Sequence, residues 1–250
     1  MGHDLAGSLV VITGVSASGQ LGEALAEGFA SRGASLALVA RRAAEVAARG
    51  AELRNAGLVQ VGAQISTHAA DLADPEGTRP LAAEVLAAHG RSSIDAVICA
   101  AGGFGMTGPL DAADPTEWAR QLHINLDTAF ATTRAFLPAV RAAGGSFVYV
   151  ASIAATAGGN SGGMAAYAAA KSGVVALMRA VAAEEGVHGV RANAIAPGAI
   201  RTSSNVAAMG DAARYVERES VADVVAFLAS PMARNVTGQV ITLTGRAETP

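Results

Sequence analysis

Short apolar runs alternate with longer alanine-rich stretches along the whole chain. The apolar runs are continuous rather than alternating with polar residues, which is typical of strands in a parallel sheet buried on both faces. They predict strands at residues 9–13, 35–40, 60–63, 94–99, 146–151, 191–195 and 240–244. The stretches between them predict helices over residues 22–32, 43–56, 78–89, 116–142, 165–186 and 221–229.

This order of strands and helices predicts an α/β fold. Right-handed crossovers between successive parallel strands build a doubly wound sheet, here of about seven strands, with helices on both faces. No proline- or serine-rich linker, charge run or internal repeat divides the chain. We therefore expect residues 1–250 to form a single domain.

Composition supports a large buried core and excludes several classes of protein. The chain is 51% hydrophobic, 16% charged and 4% aromatic, a profile that argues against disorder. Its formal net charge of −3 leaves no general basic surface for nucleic acid. A single cysteine, Cys99, lies in an apolar run, forms no internal disulfide and is expected to be a buried strand residue.

Targeting signals are not evident in the sequence. The first apolar stretch follows Asp4 rather than a basic cluster, which argues against a signal peptide. No uninterrupted apolar run approaches the ~20 residues that span a bilayer. We therefore expect a soluble, cytoplasmic protein without a membrane partner.

A glycine-rich turn joins the first predicted strand to the first predicted helix. Its sequence is Gly14-Val15-Ser16-Ala17-Ser18-Gly19-Gln20-Leu21-Gly22. Such a turn lets the backbone approach a pyrophosphate, and the helix N-terminus adds unpaired N–H groups and a positive dipole end. This favours a dinucleotide-binding Rossmann-type domain, the alternative being a flexible surface turn.

The residues after the second strand bear on which dinucleotide binds. An acidic residue there favours NAD, whereas arginine favours the 2′-phosphate of NADP. The strand is followed by Arg41 and Arg42, with no acid, and a guanidinium can bind a phosphate with two hydrogen bonds. The sequence therefore favours NADP(H) over NAD(H). The alternative is that both arginines are simply solvated at a helix start.

Tyr167 and Lys171 form a candidate proton-transfer pair. At a spacing of four on a helix, their side chains lie on the same face. A fixed ammonium beside a phenol favours phenolate and lowers the pKa of the tyrosine towards the range useful for proton transfer. By itself the spacing is weak evidence, because it is common on helix surfaces.

Taken together, these motifs resemble the short-chain dehydrogenase/reductase family over almost the whole chain. The elements that carry the resemblance follow one another in the family's order: Thr13-Gly14, Asp71, Ala100-Ala101-Gly102, Asn125, Ser152, Tyr167, Lys171 and residues 197–202. The resemblance implies an oxidoreductase that transfers hydride between a nicotinamide cofactor and a ketone, aldehyde or alcohol. It implies no metal.

The resemblance also assigns roles to individual residues. Tyr167 would be the acid/base, Ser152 would hydrogen-bond the substrate oxygen, Lys171 would hold the nicotinamide ribose, and Asn125 would anchor a water that links Lys171 to solvent. Together with Arg41, it implies cofactor contacts at Gly14, Ser16, Gly19, Gln20, Leu21, Asp71, Leu72, Ala101, Gly102, Tyr167, Lys171, Pro197, Gly198, Ile200 and Thr202. Asp71 would contact the adenine amino group, and Ile200 and Thr202 the carboxamide.

The glycine loop departs from the common family pattern. It is two residues longer than in the commonest members and is similar in length to that of bacterial enoyl reductases. In that alignment Gln20 replaces the middle glycine, Leu21 contacts the cofactor and Gly22 opens the helix. Those enzymes, however, separate tyrosine and lysine by six residues and do not use this serine. Carbonyl or alcohol chemistry is therefore preferred over enoyl reduction.

Three further segments differ from the family. Cys99-Ala100-Ala101-Gly102 lacks the usual asparagines that tie the sheet to the cofactor region. A glycine-rich segment, residues 158–163, adds two residues between Ser152 and Tyr167. Residues 152–164 are expected to border the substrate pocket, and the lid at residues 202–220 is shorter than usual.

The sequence thus predicts an NADP(H)-dependent oxidoreductase that interconverts a ketone or aldehyde with an alcohol. The alternatives are an NAD(H)-dependent alcohol dehydrogenase, an enoyl reductase-like enzyme and a catalytically idle nucleotide-binding sensor. The resemblance also implies a homodimer or homotetramer, built through the helices that carry Asn125 and Tyr167 and through the C-terminal strand.

Overall fold

The computed structural model describes residues 5–245 as one α/β domain. Its seven strands are β1 Leu9–Thr13, β2 Ser35–Ala40, β3 Ile65–Ala69, β4 Ala96–Cys99, β5 Ser146–Val150, β6 Arg191–Pro197 and β7 Val240–Leu243. Its α-helices are α1 Leu21–Ala30, α2 Ala43–Asn55, α3 Leu81–His89, α4 Pro115–Leu122, α5 Thr128–Ala143, α6 Ala165–Glu185, α7 Ser203–Met209 and α8 Arg218–Ala229.

The strands form one parallel sheet in the order β3-β2-β1-β4-β5-β6-β7. The order reverses between β1 and β4, which is where ligands bind in doubly wound sheets, beyond the carboxyl ends of the strands. The doubly wound fold predicted from the alternating pattern is therefore confirmed.

Helices cover both faces of the sheet and bury it. One face packs Ile12, Leu36 and Ile98 against α1 and α8. The other packs Val11, Val97 and Phe147 against α5 and α6. Because alternate residues of each central strand reach opposite cores, the strands read as continuous apolar runs.

Local sequence explains where several helices begin and end. Pro115 occupies the first position of α4, and the Asp114 carboxylate before it accepts a hydrogen bond of 2.8 Å from the Thr116 N–H. Helix α5 ends at Gly144, which has a φ of 58°. Glycine adopts this left-handed conformation without steric cost and so terminates the helix.

The third strand was predicted in the wrong place, at residues 60–63 rather than Ile65–Ala69. Residues 60–63 attracted the prediction because Val61 and Ala63 are apolar, but Val61 is fully exposed. The true strand, Ile-Ser-Thr-His-Ala, lies at the edge of the sheet and, within residues 5–245, pairs with β2 alone. An edge strand is buried less than a central one, so its apolar signal is weak.

The predicted helix over residues 116–142 is instead two helices joined by a π turn. The turn spans His123–Asp127 and carries Asn125, between α4 and α5. Helix α7, which follows β6, was not predicted, because Ser-Ser-Asn-Val-Ala-Ala-Met has no clear helical periodicity.

By length and composition alone, one segment of the described chain, Ala165–His188, would be long and apolar enough to cross a membrane. It consists of α6 and a short extension. This helix packs on β6 and α4 inside the domain, as core helices of globular proteins do. The segment is therefore explained by its place in the core.

Candidate active site

A cavity of about 380 Å³ opens at the carboxyl ends of β1, β2, β3 and β4. Its volume lies in the range of small-molecule and cofactor sites. Seven of the predicted cofactor residues line it: Gly14, Ser16, Arg41, Asp71, Leu72, Ala101 and Gly102. The cavity therefore lies where the sheet order reverses, at the place expected for a dinucleotide.

The end of β1 is tied to the end of β4 by Thr13. Its buried hydroxyl donates to the Ile98 carbonyl at 3.1 Å and accepts from the N–H groups of Ala100 and Ala101 at 3.0 and 3.1 Å. The sequence lacks the asparagines that usually make such a tie. Thr13 supplies a tie of this kind here, so the ends of β1 and β4 are held together rigidly.

Close packing at the same point requires glycine. Gly14 has a φ of 79°, and a Cβ on it would lie 2.9 Å from the Ala101 backbone. A side chain would therefore separate the two strand ends. Gly22 is equally confined, since a Cβ there would strike the Gly14 carbonyl.

The lengthened glycine loop is held at both sides. The Gly19 N–H donates to the Glu23 carboxylate at 2.7 Å, and Arg218 pairs with the same carboxylate at 3.0 Å. These partners hold the pKa of Glu23 below its usual value, although burial opposes them. The Gly19 carbonyl in turn accepts from the Ser203 N–H at 2.9 Å.

Gln20 adds a second bond between this loop and α7. Its side-chain amide donates to the Ser204 hydroxyl at 2.9 Å. Gln20 and Gly19 thus contact the predicted lid, which lies over the glycine loop, and neither lines the cavity. Leu21 is the first residue of α1 and packs against the hydrophobic core.

The two arginines after β2 differ in their environment. Arg42 pairs with Glu45 across 2.7 Å. Arg41 is exposed and lines the cavity, and no hydrogen bond or ion pair engages its guanidinium among residues 5–245. Arg41 is therefore the guanidinium free to meet a ligand. Asp71 faces the same cavity, and its carboxylate accepts from the Ala73 N–H at 3.1 Å.

Asn125 clamps the loop after β4. Its amide donates to the Gly103 carbonyl at 2.9 Å, and its Oδ1 accepts from the Gly103 N–H at 3.2 Å. The side chain is 1% exposed and sits in the π turn, a helix irregularity frequent at functional sites. The clamp positions Gly102 and Gly103 at the rim of the cavity.

Ser152 and Tyr167 meet beyond the end of β5. Ser152 directly follows Ala151, is 8% exposed, and its Oγ accepts from the Ala154 N–H at 3.3 Å. Burial raises the pKa of Tyr167, and a hydrogen bond with Ser152 partly offsets that rise. The Ser152 hydroxyl is therefore close enough to the phenol to lower its pKa, as expected for two groups that bind one substrate oxygen.

Lys171 lies beneath the tyrosine and is 5% exposed. Its Nζ donates to the Val150 carbonyl at 2.8 Å and lies 5.9 Å from the centre of the Tyr167 ring. Burial lowers the pKa of Lys171 to about 8. The expected lowering of the Tyr167 pKa by Lys171 is not found: burial raises this pKa, and the opposing contribution comes from Ser152.

The remaining predicted cofactor residues lie after β6. Pro197 ends the strand, Gly198 donates its N–H to the Leu243 carbonyl at 2.8 Å, and Ile200 bridges to Val216. Thr202 caps α7 by accepting from the Asn205 N–H at 3.2 Å. These residues lie outside the cavity that Arg41 and Asp71 line.

Sequence reasoning missed two contributors to this region, Glu23 and Phe104. Glu23 lies in the first turn of α1, where an acid is common for helix-dipole reasons alone. The Phe104 ring meets that of Tyr167 edge-on, with centres 5.1 Å apart. Nothing local marks Phe104, because the contact depends on the fold. Among residues 5–245, no group of three His, Cys, Asp or Glu side chains could hold a metal.

Comparison with known proteins identifies the family. A family model described as Enoyl-(Acyl carrier protein) reductase matches residues 14–245. The levodione reductase of Leifsonia aquatica is 34% identical over 95% of this chain and 92% of its own. The galactitol 2-dehydrogenase (L-tagatose-forming) of Cereibacter sphaeroides is 32% identical over 96% and 95%.

A solved structure agrees with this placement. The short-chain type dehydrogenase/reductase of Mycobacterium ulcerans superposes with a TM-score of 0.86 at 32% identity, covering 96% of this chain and 89% of that one. The sheet order, the Ser152–Tyr167–Lys171 arrangement and these relatives converge on one conclusion. The chain belongs to the short-chain dehydrogenase/reductase family of NAD(P)-dependent oxidoreductases.

Proposed function

We propose that this protein is an NADP(H)-dependent oxidoreductase that interconverts a ketone or aldehyde with an alcohol. The observation that carries the proposal is that Ser152, beyond the end of β5, lies close enough to Tyr167 to lower the pKa of its phenol. The ammonium of Lys171 is buried below them. A carbonyl oxygen bound by both hydroxyls would have a proton donor and a second hydrogen-bond donor.

The chain's own residues divide the work of reduction. The nicotinamide cofactor, when bound, supplies the hydride. Ser152 donates a hydrogen bond to the carbonyl oxygen and stabilises the charge that develops there. Tyr167 gives its phenolic proton to that oxygen. Because burial raises its pKa, the phenol keeps this proton at neutral pH until the transfer.

Lys171 and Asn125 organise the same centre. The Lys171 ammonium, fixed on the Val150 carbonyl, lies within reach of a ribose hydroxyl and attracts the phenolate that forms. Asn125 holds the backbone at Gly103, so the cofactor would meet a rigid rim. In oxidation the same groups act in reverse, with Tyr167 as the base.

The spacing of tyrosine and lysine separates this proposal from enoyl reduction. The matching family model carries an enoyl reductase description, and the glycine loop has the length found in that branch. Here, however, Tyr167 and Lys171 are one helical turn apart on α6, and Ser152 lies close enough to lower the pKa of the tyrosine. Two hydroxyls above a buried ammonium suit the reduction of a carbonyl rather than of a carbon–carbon double bond.

Arg41 supports NADP(H) over NAD(H). Its unpaired guanidinium faces the cavity beside Ser16, and both can contact a 2′-phosphate. Glu45 is the acid closest in sequence, and it lines the cavity too, but it is engaged by Arg42 at 2.7 Å. Arg41 therefore leaves one unpaired positive charge directly after β2.

We also infer a homodimer or homotetramer. Within the described chain β7 pairs with β6 alone, and its Val240 and Leu243 are partly exposed. Trp118 on α4 is 37% exposed and Phe130 on α5 is 48% exposed. Apolar side chains at an open strand edge and along these helices are suited to contact between subunits. Light scattering would measure the mass.

A cytoplasmic location is consistent with the single thiol. Burial raises the pKa of Cys99 to about 12, so the group stays protonated. Cell fractionation would test the location.

The test of the function is a substrate panel followed by product identification. Purified protein and NADPH are mixed with ketones, aldehydes and an α,β-unsaturated thioester, and loss of reduced cofactor is followed by absorbance. We expect ketone- or aldehyde-dependent loss with an alcohol as the product. Turnover of the thioester alone would establish enoyl reduction instead. Cofactor binding without any turnover would establish an idle sensor.

A further inference from the structure

We propose that the substrate carbonyl belongs to a neutral, apolar molecule such as an alicyclic ketone, and not to a polyol or an anion. This inference rests on the proposed function of Tyr167. It concerns the side chains next to that phenol, which decide what surrounds the reacting carbonyl.

Two exposed apolar side chains form a wall beside Tyr167. Phe104 and Met106 are each 56% exposed. The Phe104 ring meets the Tyr167 ring at 81°, with centres 5.1 Å apart. Met106 approaches the loop before α6, since a Cβ on Gly163 would lie 2.9 Å from its Cε. Large apolar side chains left exposed next to a reactive group indicate a binding surface.

Hydrogen bonds fix this wall in position. The N–H groups of Thr107 and Gly108 both donate to the Gly163 carbonyl, at 2.8 and 3.0 Å. The loop after β4 is therefore joined to the loop that leads into α6, four residues before Tyr167. Phe104 and Met106 lie on the joined loop and keep their places relative to the phenol.

The segments around the phenol carry no charge. Residues 102–110, 151–166 and 202–210 contain no Asp, Glu, Lys or Arg. The first two flank Tyr167, and the third follows β6, the neighbour of β5, whose end carries Ser152. A carboxylate or phosphate on the substrate would find no cation in these segments.

Two arginines on neighbouring elements, Arg120 and Arg201, are already engaged in ion pairs. Arg120 on α4 binds Glu117 at 2.6 and 2.8 Å. Arg201, which precedes α7, binds Asp211 and Glu217, each at 3.2 Å. Recruiting either arginine to an anionic substrate would break an existing ion pair.

Magnitudes favour an apolar ring over a polyol. Each methylene group buried against the wall strengthens binding about fourfold. Each substrate hydroxyl that loses water without gaining a partner weakens binding about 5- to 140-fold. A polyol would present several such hydroxyls to Phe104 and Met106, whereas an alicyclic ketone has only its carbonyl oxygen to satisfy.

Three matched probes test the inference. The value of kcat/KM with NADPH is measured for cyclohexanone, 4-oxocyclohexanecarboxylate and a ketohexose. We expect cyclohexanone to exceed each of the others by at least tenfold. Preference for the carboxylate or the ketohexose would overturn the inference while leaving carbonyl reduction intact. Turnover of none, with other carbonyls also inert, would overturn the proposed function itself.

A positive charge placed on the wall should reduce the preference for cyclohexanone over the carboxylate. In Met106→Lys the ratio of kcat/KM for the carboxylate to that for cyclohexanone should rise at least tenfold. Val61→Lys is the control, because Val61 is exposed in the loop before β3, at the opposite edge of the sheet. Its ratio should match wild type. An unchanged ratio in a folded Met106→Lys protein would show that the wall does not contact substrate.

Truncating the ring gives an independent measurement. Phe104→Ala should lower kcat/KM for cyclohexanone at least fivefold and leave the ketohexose value unchanged. Equal losses for both probes would contradict an apolar contact and indicate a general disturbance of Tyr167.

Discussion

Asn125 and Lys171 both face the Cα of Gly102, on the side where a Cβ would lie. A Cβ placed on that glycine would lie 2.6 Å from the Asn125 Oδ1 and 3.3 Å from the Lys171 Nζ. Two side chains from different helices therefore close on one backbone atom at the rim of the cofactor cavity. The absence of a side chain at Gly102 is what allows the clamp and the ammonium to occupy their positions.

This relationship predicts that Gly102→Ala is far more damaging than Gly103→Ala. The added methyl at Gly102 must displace a buried amide or a buried ammonium, so kcat should fall at least tenfold and the melting temperature should drop. At Gly103 the nearest atom is the flexible end of Ile124, 3.1 Å away, which can move. Kinetics and thermal unfolding of both variants check this, and equal effects would contradict it.

Thr13 should contribute stability through its hydroxyl rather than its shape. Thr13→Val keeps the shape but leaves the half-buried N–H group of Ala101 without an acceptor, at a cost of about 1 kcal/mol. The Ala100 N–H loses the Thr13 oxygen but keeps the Ile98 carbonyl, 3.1 Å away. Thr13→Ser retains the oxygen and is the control. Urea unfolding of the two variants should differ by that amount. A Val variant as stable as the Ser variant would show that the tie is unimportant.

The elements that the sequence predicts best are those that the fold buries on both faces. The bounds of β1 and β2 match their predictions, because both strands are apolar throughout. Strand β3 was misplaced because its edge position leaves Ser66, Thr67 and His68 partly exposed. Within residues 5–245 such a strand is covered by a neighbour, β2, on one side, so its residues are less apolar. A local apolar pattern therefore cannot distinguish it from the preceding loop.

Arg41→Ala should weaken the binding of NADPH much more than the binding of NADH. The free guanidinium of Arg41 faces the cavity, whereas that of Arg42 is engaged with Glu45. A charge-assisted hydrogen bond is worth about 1.5–3 kcal/mol, so Kd for NADPH should rise by about 10- to 100-fold. Arg42→Ala should raise the Kd for NADPH less than Arg41→Ala does. Fluorescence titration gives the four constants, and equal effects of Arg41→Ala on both cofactors would exclude the NADP assignment.

Lys171 should make the unfolding free energy depend on pH in the alkaline range. Burial lowers the pKa of Lys171 to about 8 from the ordinary 10.5. Between these values the unfolded chain holds the proton and the folded chain does not, so the penalty for burying the charge disappears as the pH rises. Relative to Lys171→Met, wild type should gain up to about 3 kcal/mol over this range.

The control for that measurement is Arg179→Met, which removes an exposed charge from the same helix and should track wild type. A constant difference between wild type and Lys171→Met at every pH would show that the ammonium is not desolvated.

The site was partly accessible from the sequence for a physical reason. Tyr167 and Lys171 could be named from their helical spacing and their chemistry, and Ser152 from the resemblance to the family. Their surroundings could not, since Phe104 reaches Tyr167 and Gln20 reaches Ser204 through folded loops. The pKa of Tyr167 shows the same limit. Spacing suggested a lowered value, whereas burial, which depends on the tertiary structure, raises it.

The central claim is that the Tyr167 phenol supplies the proton in carbonyl reduction. Tyr167→Phe removes the hydroxyl and keeps the ring against Phe104, so NADPH affinity measured by fluorescence should stay within about threefold of wild type. Its kcat for ketone-dependent NADPH oxidation should fall by at least about 100-fold, the usual contribution of a general acid. A folded Tyr167→Phe protein that binds NADPH and reduces the ketone at a rate close to wild type would contradict the account.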